Sequence, residues 1–284
     1  MADIFEVGIV GSGIMGAGLA EVAARAGHDV VVRSRTMEGA EAVLTKISKG
    51  LDRQVSKERM TAEDRDAIVG RIRVTDHLGQ LANCDLVIES VVEDLEIKKA
   101  LFAELEQIVK PSGILATNTS TLPVIELAMA TQRPELVCGI HFFNPAPMMK
   151  LVEIIKPITA SDDTITKAVN YVEHCGKDAV AVEDRAGFVV NALLFPYLNN
   201  AIRMWENGTA SMDAIDTAMM GGCNFPMGPF ALLDLVGLDT SLSILDALYE
   251  EFRDPNYAAM PTLRRKVAAG QLGRKSGHGF YNYG

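Results

Sequence analysis

Short apolar, β-branched runs alternate along the first two thirds of the chain with longer stretches whose apolar residues recur every three or four positions. Val7-Gly8-Ile9-Val10 runs into a glycine cluster. A helical period follows from about Ile14 to Ala26, with Gly27 where a left-handed residue closes a helix, and Val30-Val31-Val32 is the next β-type run. Strand, crossover helix and strand in so short a span form a βαβ unit, which joins parallel strands through a right-handed crossover. Met37 to Gly70 is a long charged helical stretch, and Thr61-Ala62-Glu63-Asp64 inside it reads as a fresh N-terminal cap. A helical pair placed there between strands is an insertion. Five further runs read as strands: Ile72–Val74, Asp85–Glu89, Gly113–Ala116, Val137–Ile140 and Leu151–Ile155. Ser161 caps a helix running towards Gly176, with acids in its first turn, and Ala179–Val182 is the last strand.

The pattern changes after Asp184. Val189–Met204, Ser211–Met220 and Thr240–Phe252 read as helices, joined by loops containing glycine and proline, and Pro196 is expected to kink the first of them. The one strand-like stretch there is the terminal Gly279-Phe280-Tyr281. The predicted architecture is an α/β, Rossmann-type doubly wound sheet over 1–184 carrying a helical hairpin insertion. An all-α domain over 185–284 follows it.

Composition narrows the function classes. Hydrophobic residues make up 48% of the 284 positions and charged residues 23%, ordinary values for a globular core, which excludes a disordered or collagen-like chain. A net charge of −10 argues against a general nucleic-acid binder, because such a protein needs a dominant positive field. No apolar run approaches the roughly 18 residues of a membrane span. Met1 to Glu6 carries two acids where a signal peptide is basic. Four cysteines, Cys84, Cys138, Cys175 and Cys223, are too sparse for a disulfide scaffold. A cytoplasmic, reducing location is the expectation.

Gly11-Ser12-Gly13-Ile14-Met15-Gly16 is a G-x-G-x-x-G loop in its proper context, after a strand and opening a helix. Gly11 permits the tight turn, Gly13 lets backbone approach a pyrophosphate, and Gly16 lets helix and strand pack closely. An acid some 20 positions further on ordinarily binds the ribose hydroxyls of NAD. Here the stretch reads Val32-Arg33-Ser34-Arg35-Thr36. A serine and an arginine suit a 2′-phosphate, which a carboxylate would repel, so Ser34 and Arg35 lean towards NADP over NAD. Arginines merely solvated at a strand end, with either dinucleotide bound, are the alternative.

His141 stands at the end of an apolar strand, where ligands of open α/β sheets gather, and Glu153 lies in the next apolar strand. A carboxylate in such a run needs a partner. An imidazole held by a carboxylate is a good general base, because the carboxylate fixes its tautomer and raises its basicity. The bland alternative is a satisfied core histidine beside a strand-edge glutamate. No HExxH or other metal-ligand spacing occurs among the five histidines, and no G-x-S-x-G elbow is present.

Several motifs in order add to these. Asn118-Thr119-Ser120, His141-Phe142-Phe143-Asn144-Pro145, Lys150-Leu151-Val152-Glu153, Gly187-Phe188-Val189-Val190-Asn191, Pro226-Met227-Gly228-Pro229 and Gly277-His278-Gly279-Phe280-Tyr281 join the glycine loop. With them the chain resembles, over essentially its whole length, the short-chain L-3-hydroxyacyl-CoA dehydrogenase family, and most of all its bacterial branch acting on 3-hydroxybutyryl-CoA. The resemblance implies reversible hydride transfer between NAD(P) and a (3S)-3-hydroxyacyl-CoA, with an acyl-CoA substrate and a homodimer formed through the C-terminal domain. It implies His141 as acid/base and Glu153 as its orienting carboxylate, with Ser120 and Asn191 on the substrate oxygen and the histidine's surroundings. It also implies Glu93, Lys98, Asn144 and Lys275 around the nicotinamide half or ribose of the cofactor. The helical pair near Gln54–Arg59 matches a segment that meets coenzyme A, so Lys57 or Arg59 would face its phosphates; a plain solvated face is the alternative. The chain departs from the family at Ser34, where an aspartate is usual, and at Ala192, where the family has an arginine. Two competing readings are a dehydrogenase of free hydroxy acids and a non-catalytic dinucleotide-binding structural or sensor protein. The sister class acting on free acids uses a lysine base, and an intact His141, Glu153, Ser120 and Asn191 would be idle in a sensor.

Overall fold

A computed structural model describes residues 4–284; Asp3, one of the two N-terminal acids, lies outside them. The chain divides into two compact units, Met1–Asp184 and Arg185–Gly284. The first unit is built on an eight-stranded sheet: β1 (Glu6–Val10), β2 (Asp29–Arg33), β3 (Ile72–Thr75), β4 (Leu86–Glu89), β5 (Ile114–Thr117), β6 (Val137–Phe142), β7 (Leu151–Lys156) and β8 (Asp178–Glu183). Their spatial order is β3-β2-β1-β4-β5-β6-β7-β8. Every neighbouring pair is parallel except β6 and β7. The order 3-2-1-4-5-6 is that of a dinucleotide-binding sheet, whose switch point lies between β1 and β4. The strands read as near-continuous apolar runs because helices cover both faces, and Val7, Ile9, Val30, Val32, Leu86 and Ile88 are fully buried.

The helices start where local chemistry satisfies their free amides. Thr36 Oγ1 accepts from Gly39 N at the head of α2 (Met37–Val55). Thr61 Oγ1 accepts from Asp64 N at the head of α3 (Ala62–Gly70), so the inserted stretch is a helical pair as its cap predicts. Ser161 Oγ accepts from Thr164 N at the head of α6 (Asp162–His174). The first crossover, α1 (Ile14–Arg25), is followed by Gly27 at φ +96°. Between β4 and β5 lies α4 (Leu95–Ile108), capped by Asp94 on Ile97 N, for which the sequence reading has no element. Its inward stripe contains Lys98 between Leu95 and Phe102, and that lysine interrupts the apolar period. The five-residue α5 (Val124–Ala128) is equally absent from the sequence reading.

The second unit contains α7 (Val190–Glu206), α8 (Met212–Cys223), α9 (Pro229–Val236), α10 (Leu238–Phe252) and α11 (Pro261–Ala268). Helix α7 continues through Pro196. Pro229 and Pro261 occupy first-turn positions, where a missing N–H costs nothing, so α9 fills a stretch expected to be a loop and α11 one given no element. Gly279–Tyr281 is not a strand: only isolated bridges, Gly273 to His278 and His278 to Asn282, occur there. Trp205, Phe230 and Phe280 pack edge to face in the core of this unit. No described helix is long and apolar enough to cross a membrane.

Candidate active site

The glycine loop closes between β1 and α1. Gly11 has φ +131°, and a Cβ there would stand 2.2 Å from the Ser90 carbonyl oxygen at the end of β4. A Cβ on Gly16 would stand 2.0 Å from the Gly11 carbonyl oxygen, so both glycines are demanded by close backbone approach. Gly13 is different: a Cβ there would meet nothing within 4 Å. It caps α1 without any side-chain hydrogen bond, and Ser12 and Ile14 beside it are exposed. Met15 is half-buried against the core. Open space in front of uncapped helix amides fits a pyrophosphate.

At the end of β2, Ser34 is buried and its Oγ donates to Ser12 Oγ at 2.9 Å, joining the second strand to the glycine loop. Arg33 Nε donates to the Asp76 carbonyl at 3.3 Å, and Arg35 is exposed. No acid occupies this corner of the sequence, and Gly39 leaves the space Ser34 uses: a Cβ there would come within 2.5 Å of Ser34 Oγ.

The antiparallel β6–β7 pairing sets His141 directly opposite Glu153. His141 Nδ1 lies 2.8 Å from Glu153 Oε2, and His141 Nε2 lies 2.9 Å from Ser120 Oγ. Histidine and glutamate are 3% and 1% exposed, so this contact is shielded from water and its carboxylate acts at full strength. With Nδ1 donating to the carboxylate, the Nε2 lone pair faces the serine, which is the tautomer a general base requires. The Phe143 ring sits 4.6 Å from the imidazole, centre to centre. Asn118 Oδ1 accepts from Phe142 N at 2.8 Å and fixes the end of the histidine's strand.

Ser120 is held in turn from below. Glu93 accepts from Thr119 Oγ1 at 2.5 Å and from Ser120 N at 2.9 Å. Lys98 Nζ lies 2.6 Å from Glu89 and 3.3 Å from Glu93. Burial pushes the Glu93 carboxyl up, but Lys98 and the Thr119 and Ser120 hydrogen bonds outweigh it and leave it below its ordinary range. Thr117 Oγ1 and Val91 N complete the bonding of the fully buried Glu89. Glu89 was not among the sequence candidates, though a carboxylate at the end of Leu86-Val87-Ile88 carries the same signal as Glu153. Lys98, expected beside the cofactor, is 1% exposed, and its ammonium lies between the two glutamates.

A groove of about 830 Å³ runs along this unit between α1, α2 and residues 144–147. Lys46, Lys49 and Arg53 of α2 line it together with Glu21 of α1 and Glu38 and Glu41 of α2, and Asn144 lies in the same lining. None of the three basic residues was a sequence candidate, because on an amphipathic helix they look like a solvated face. Lys57 and Arg59 lie past the end of α2, exposed, flanking Glu58 at φ +55°, and do not line the groove. Asn191 and Lys275 belong to the second unit. Asn191 is 7% exposed in the first turn of α7, and Lys275 pairs with Asp239 at 2.6 Å. Ala192, where the family has an arginine, packs half-buried against that unit's core. Among the described residues, no three His, Cys, Asp or Glu side chains gather as a metal site.

This geometry matches known proteins. The family described as 3-hydroxyacyl-CoA dehydrogenase, NAD binding domain, matches residues 6–185, and its companion, 3-hydroxyacyl-CoA dehydrogenase, C-terminal domain, matches 187–283. The chain is a member of the 3-hydroxyacyl-CoA dehydrogenase family. It is 46% identical over 290 residues to a 3-hydroxybutyryl-CoA dehydrogenase of Mycobacterium tuberculosis, covering 100% of both chains. To one of Clostridioides difficile with the same name it is 43% identical, covering 98% of this chain and 99% of that one. Among solved structures, (S)-3-hydroxybutyryl-CoA dehydrogenase PaaH1 from Ralstonia eutropha superposes with a TM-score of 0.97 at 39% identity, covering 99% of this chain and 100% of that one. The family explains why one sheet carries both a phosphate loop and a histidine–glutamate pair.

Proposed function

We propose that the chain interconverts (3S)-3-hydroxybutyryl-CoA and acetoacetyl-CoA, with NADP(H) preferred over NAD(H). The observation that carries the reaction is the Glu153–His141–Ser120 line, whose glutamate and histidine are buried and whose serine is half-buried. A bound nicotinamide supplies the hydride acceptor in oxidation and the donor in reduction. The protein's part is proton transfer and positioning. In oxidation His141 Nε2 takes the proton of the 3-hydroxyl while Glu153, bonded to Nδ1, stabilises the imidazolium. In reduction that proton returns to the substrate oxygen, and the Ser120 hydroxyl stabilises negative charge developing there. Asn191 is assigned to the same oxygen and the histidine's surroundings, and Glu93, Lys98, Asn144 and Lys275 to the cofactor half of the site, on the family resemblance. Lys98 acts there by holding Glu93, and Glu93 by holding Ser120 N.

The preference for NADP(H) rests on Ser34 and Arg35 and on the missing acid at the end of β2. Lys46, Lys49 and Arg53 suit the phosphates of coenzyme A along the groove, a better-placed set than Lys57 and Arg59. Apolar Leu193, Phe225 and Leu235 are 72%, 42% and 50% exposed on the second unit, which supports a homodimer through it. Four free thiols suit a reducing cytoplasm.

The test is the initial rate of acetoacetyl-CoA reduction with NADPH and NADH in parallel. Fast turnover favouring NADPH supports both parts. Fast turnover with NADH alone keeps the reaction and removes the Ser34–Arg35 reading. No turnover with either overturns the reaction and leaves a free hydroxy acid as substrate or a non-catalytic binding protein.

A further inference from the structure

The connection from β6 to β7 does three things. It joins the strands that bear His141 and Glu153, it carries Asn144, and its residues 144–147 form one wall of the groove. It lies hard against α1, since a Cβ on Gly18 would come within 3.1 Å of Ala146 Cβ and 3.3 Å of Pro147 Cδ. It contains no strand or helix between Phe143 and Lys150 to hold its carbonyls.

Lys177 holds them. It stands in the turn between α6 and β8, 8% exposed. Its Nζ donates to the carbonyl oxygens of Ala146 at 2.7 Å, Pro147 at 3.1 Å and Met149 at 2.8 Å. Two more bonds stitch the same pair of segments: Lys150 Nζ to the Gly176 carbonyl, and Asp178 N to the Lys150 carbonyl. Keeping an ammonium in so closed a place is costly: burial lowers its pKa, Lys150 and Arg25 push the same way, and Cys175 and Glu21 oppose them. The bonds go to carbonyls rather than to a carboxylate, so no ion pair accounts for the charge. A hydrophobic residue of the same length would avoid the cost and release the three carbonyls.

We propose that Lys177 is a positioning residue that sets affinity for the coenzyme A part of the substrate by clamping the Ala146–Met149 connection as a fixed groove wall. This rests on the reading of the groove given above. The charge matters because one ammonium reaches three diverging carbonyls, which no neutral side chain of that length does.

The experiment compares the full chain with Lys177→Met and Lys177→Arg by two readouts: hydrogen exchange of the Ala146, Met148 and Met149 backbone amides, and calorimetric titration with free coenzyme A. In Lys177→Met the amides should exchange at least about tenfold faster, and coenzyme A should bind about tenfold more weakly, since a wall displaced by an ångström removes well-placed contacts. Lys177→Arg should fall between the parent and Lys177→Met in both readouts, because it keeps the charge while its longer planar fork cannot reproduce three diverging bonds. If Lys177→Met does not fold, Lys177→Gln, which keeps donors without charge, is read in its place. Unchanged loop exchange in the neutral variant overturns the proposal, as does a loosened loop with undiminished coenzyme A affinity. If the parent itself binds no coenzyme A, the groove reading fails and takes the proposal with it, an outcome distinct from the other two.

Discussion

Asp216 and Asp234 in the second unit and Glu89 and Glu153 in the first are all carboxylates buried among apolar residues. Their partners differ. Asp234 accepts from Phe280 N and Tyr281 N, both at 2.8 Å, and from the Tyr283 hydroxyl. Asp216 accepts from Phe230 N and Ala231 N at the head of α9 and from the Tyr281 hydroxyl, whose pKa burial and that carboxylate push up. These two acids tie backbone amides and tyrosine hydroxyls together. Glu153 and Glu89 instead face the side chains of His141 and Lys98, groups that carry or move protons. An acid in an apolar run therefore marks a buried hydrogen-bond hub, and the class of its partner separates a structural hub from one built for chemistry.

The contrast is broken most strongly at the histidine. His141→Gln should keep the fold and the dinucleotide affinity while lowering kcat about 10³-fold, within the span of general acid–base effects, as steady-state rates would record. The structural hubs should behave in the opposite way. Asp234→Ala should cost about 3 kcal/mol of stability by orphaning two buried N–H groups, read from denaturant unfolding, while kcat per folded molecule stays within about twofold. At the cofactor corner, Ser34→Asp should move the ratio of NADPH to NADH specificity at least about tenfold towards NADH, because a carboxylate there repels a 2′-phosphate.

The smallest effect concerns stability against pH. His28 is 7% exposed with its Nε2 buried and unpartnered, and burial followed by the neighbouring His174 lowers its pKa from the ordinary 6.5. The unfolded chain then takes up this proton more readily, so the folded state loses stability as pH falls below 6.5 towards the folded pKa, and gains nothing above it. Thermal unfolding followed between pH 7 and pH 5 should show a shallower decline for His28→Gln than for the parent, ahead of the carboxylate titrations below about pH 4.

Much of this fold is legible because its strands are buried on both faces and its helices are announced by caps. Thr61 divides the inserted helical pair, and Ser161 starts α6 at its acids. Some of the illegible parts come from polar residues spent inside and others from first-turn prolines that read as loops. Lys98 interrupts the stripe of α4, so the helix and the Glu89–Lys98–Glu93 network are lost together. In the site, the facing of His141 and Glu153 is implied by two adjacent apolar strands, one carrying a histidine and the other a glutamate, but their register is not. Lys177 is equally hidden, since a lysine between Gly176 and Asp178 reads as an ordinary surface turn. The groove lysines of α2 are exposed and are hidden for a different reason, since only the position of residues 144–147 distinguishes them from a solvated face.

Glu153 works through His141 rather than through the fold. The decisive measurement is kcat of Glu153→Gln with acetoacetyl-CoA beside its dinucleotide dissociation constant. Turnover should fall by about 10²-fold or more with the dissociation constant within about twofold of the parent. Near-parental turnover, or a loss of turnover matched by an equal loss of dinucleotide binding, would contradict this role.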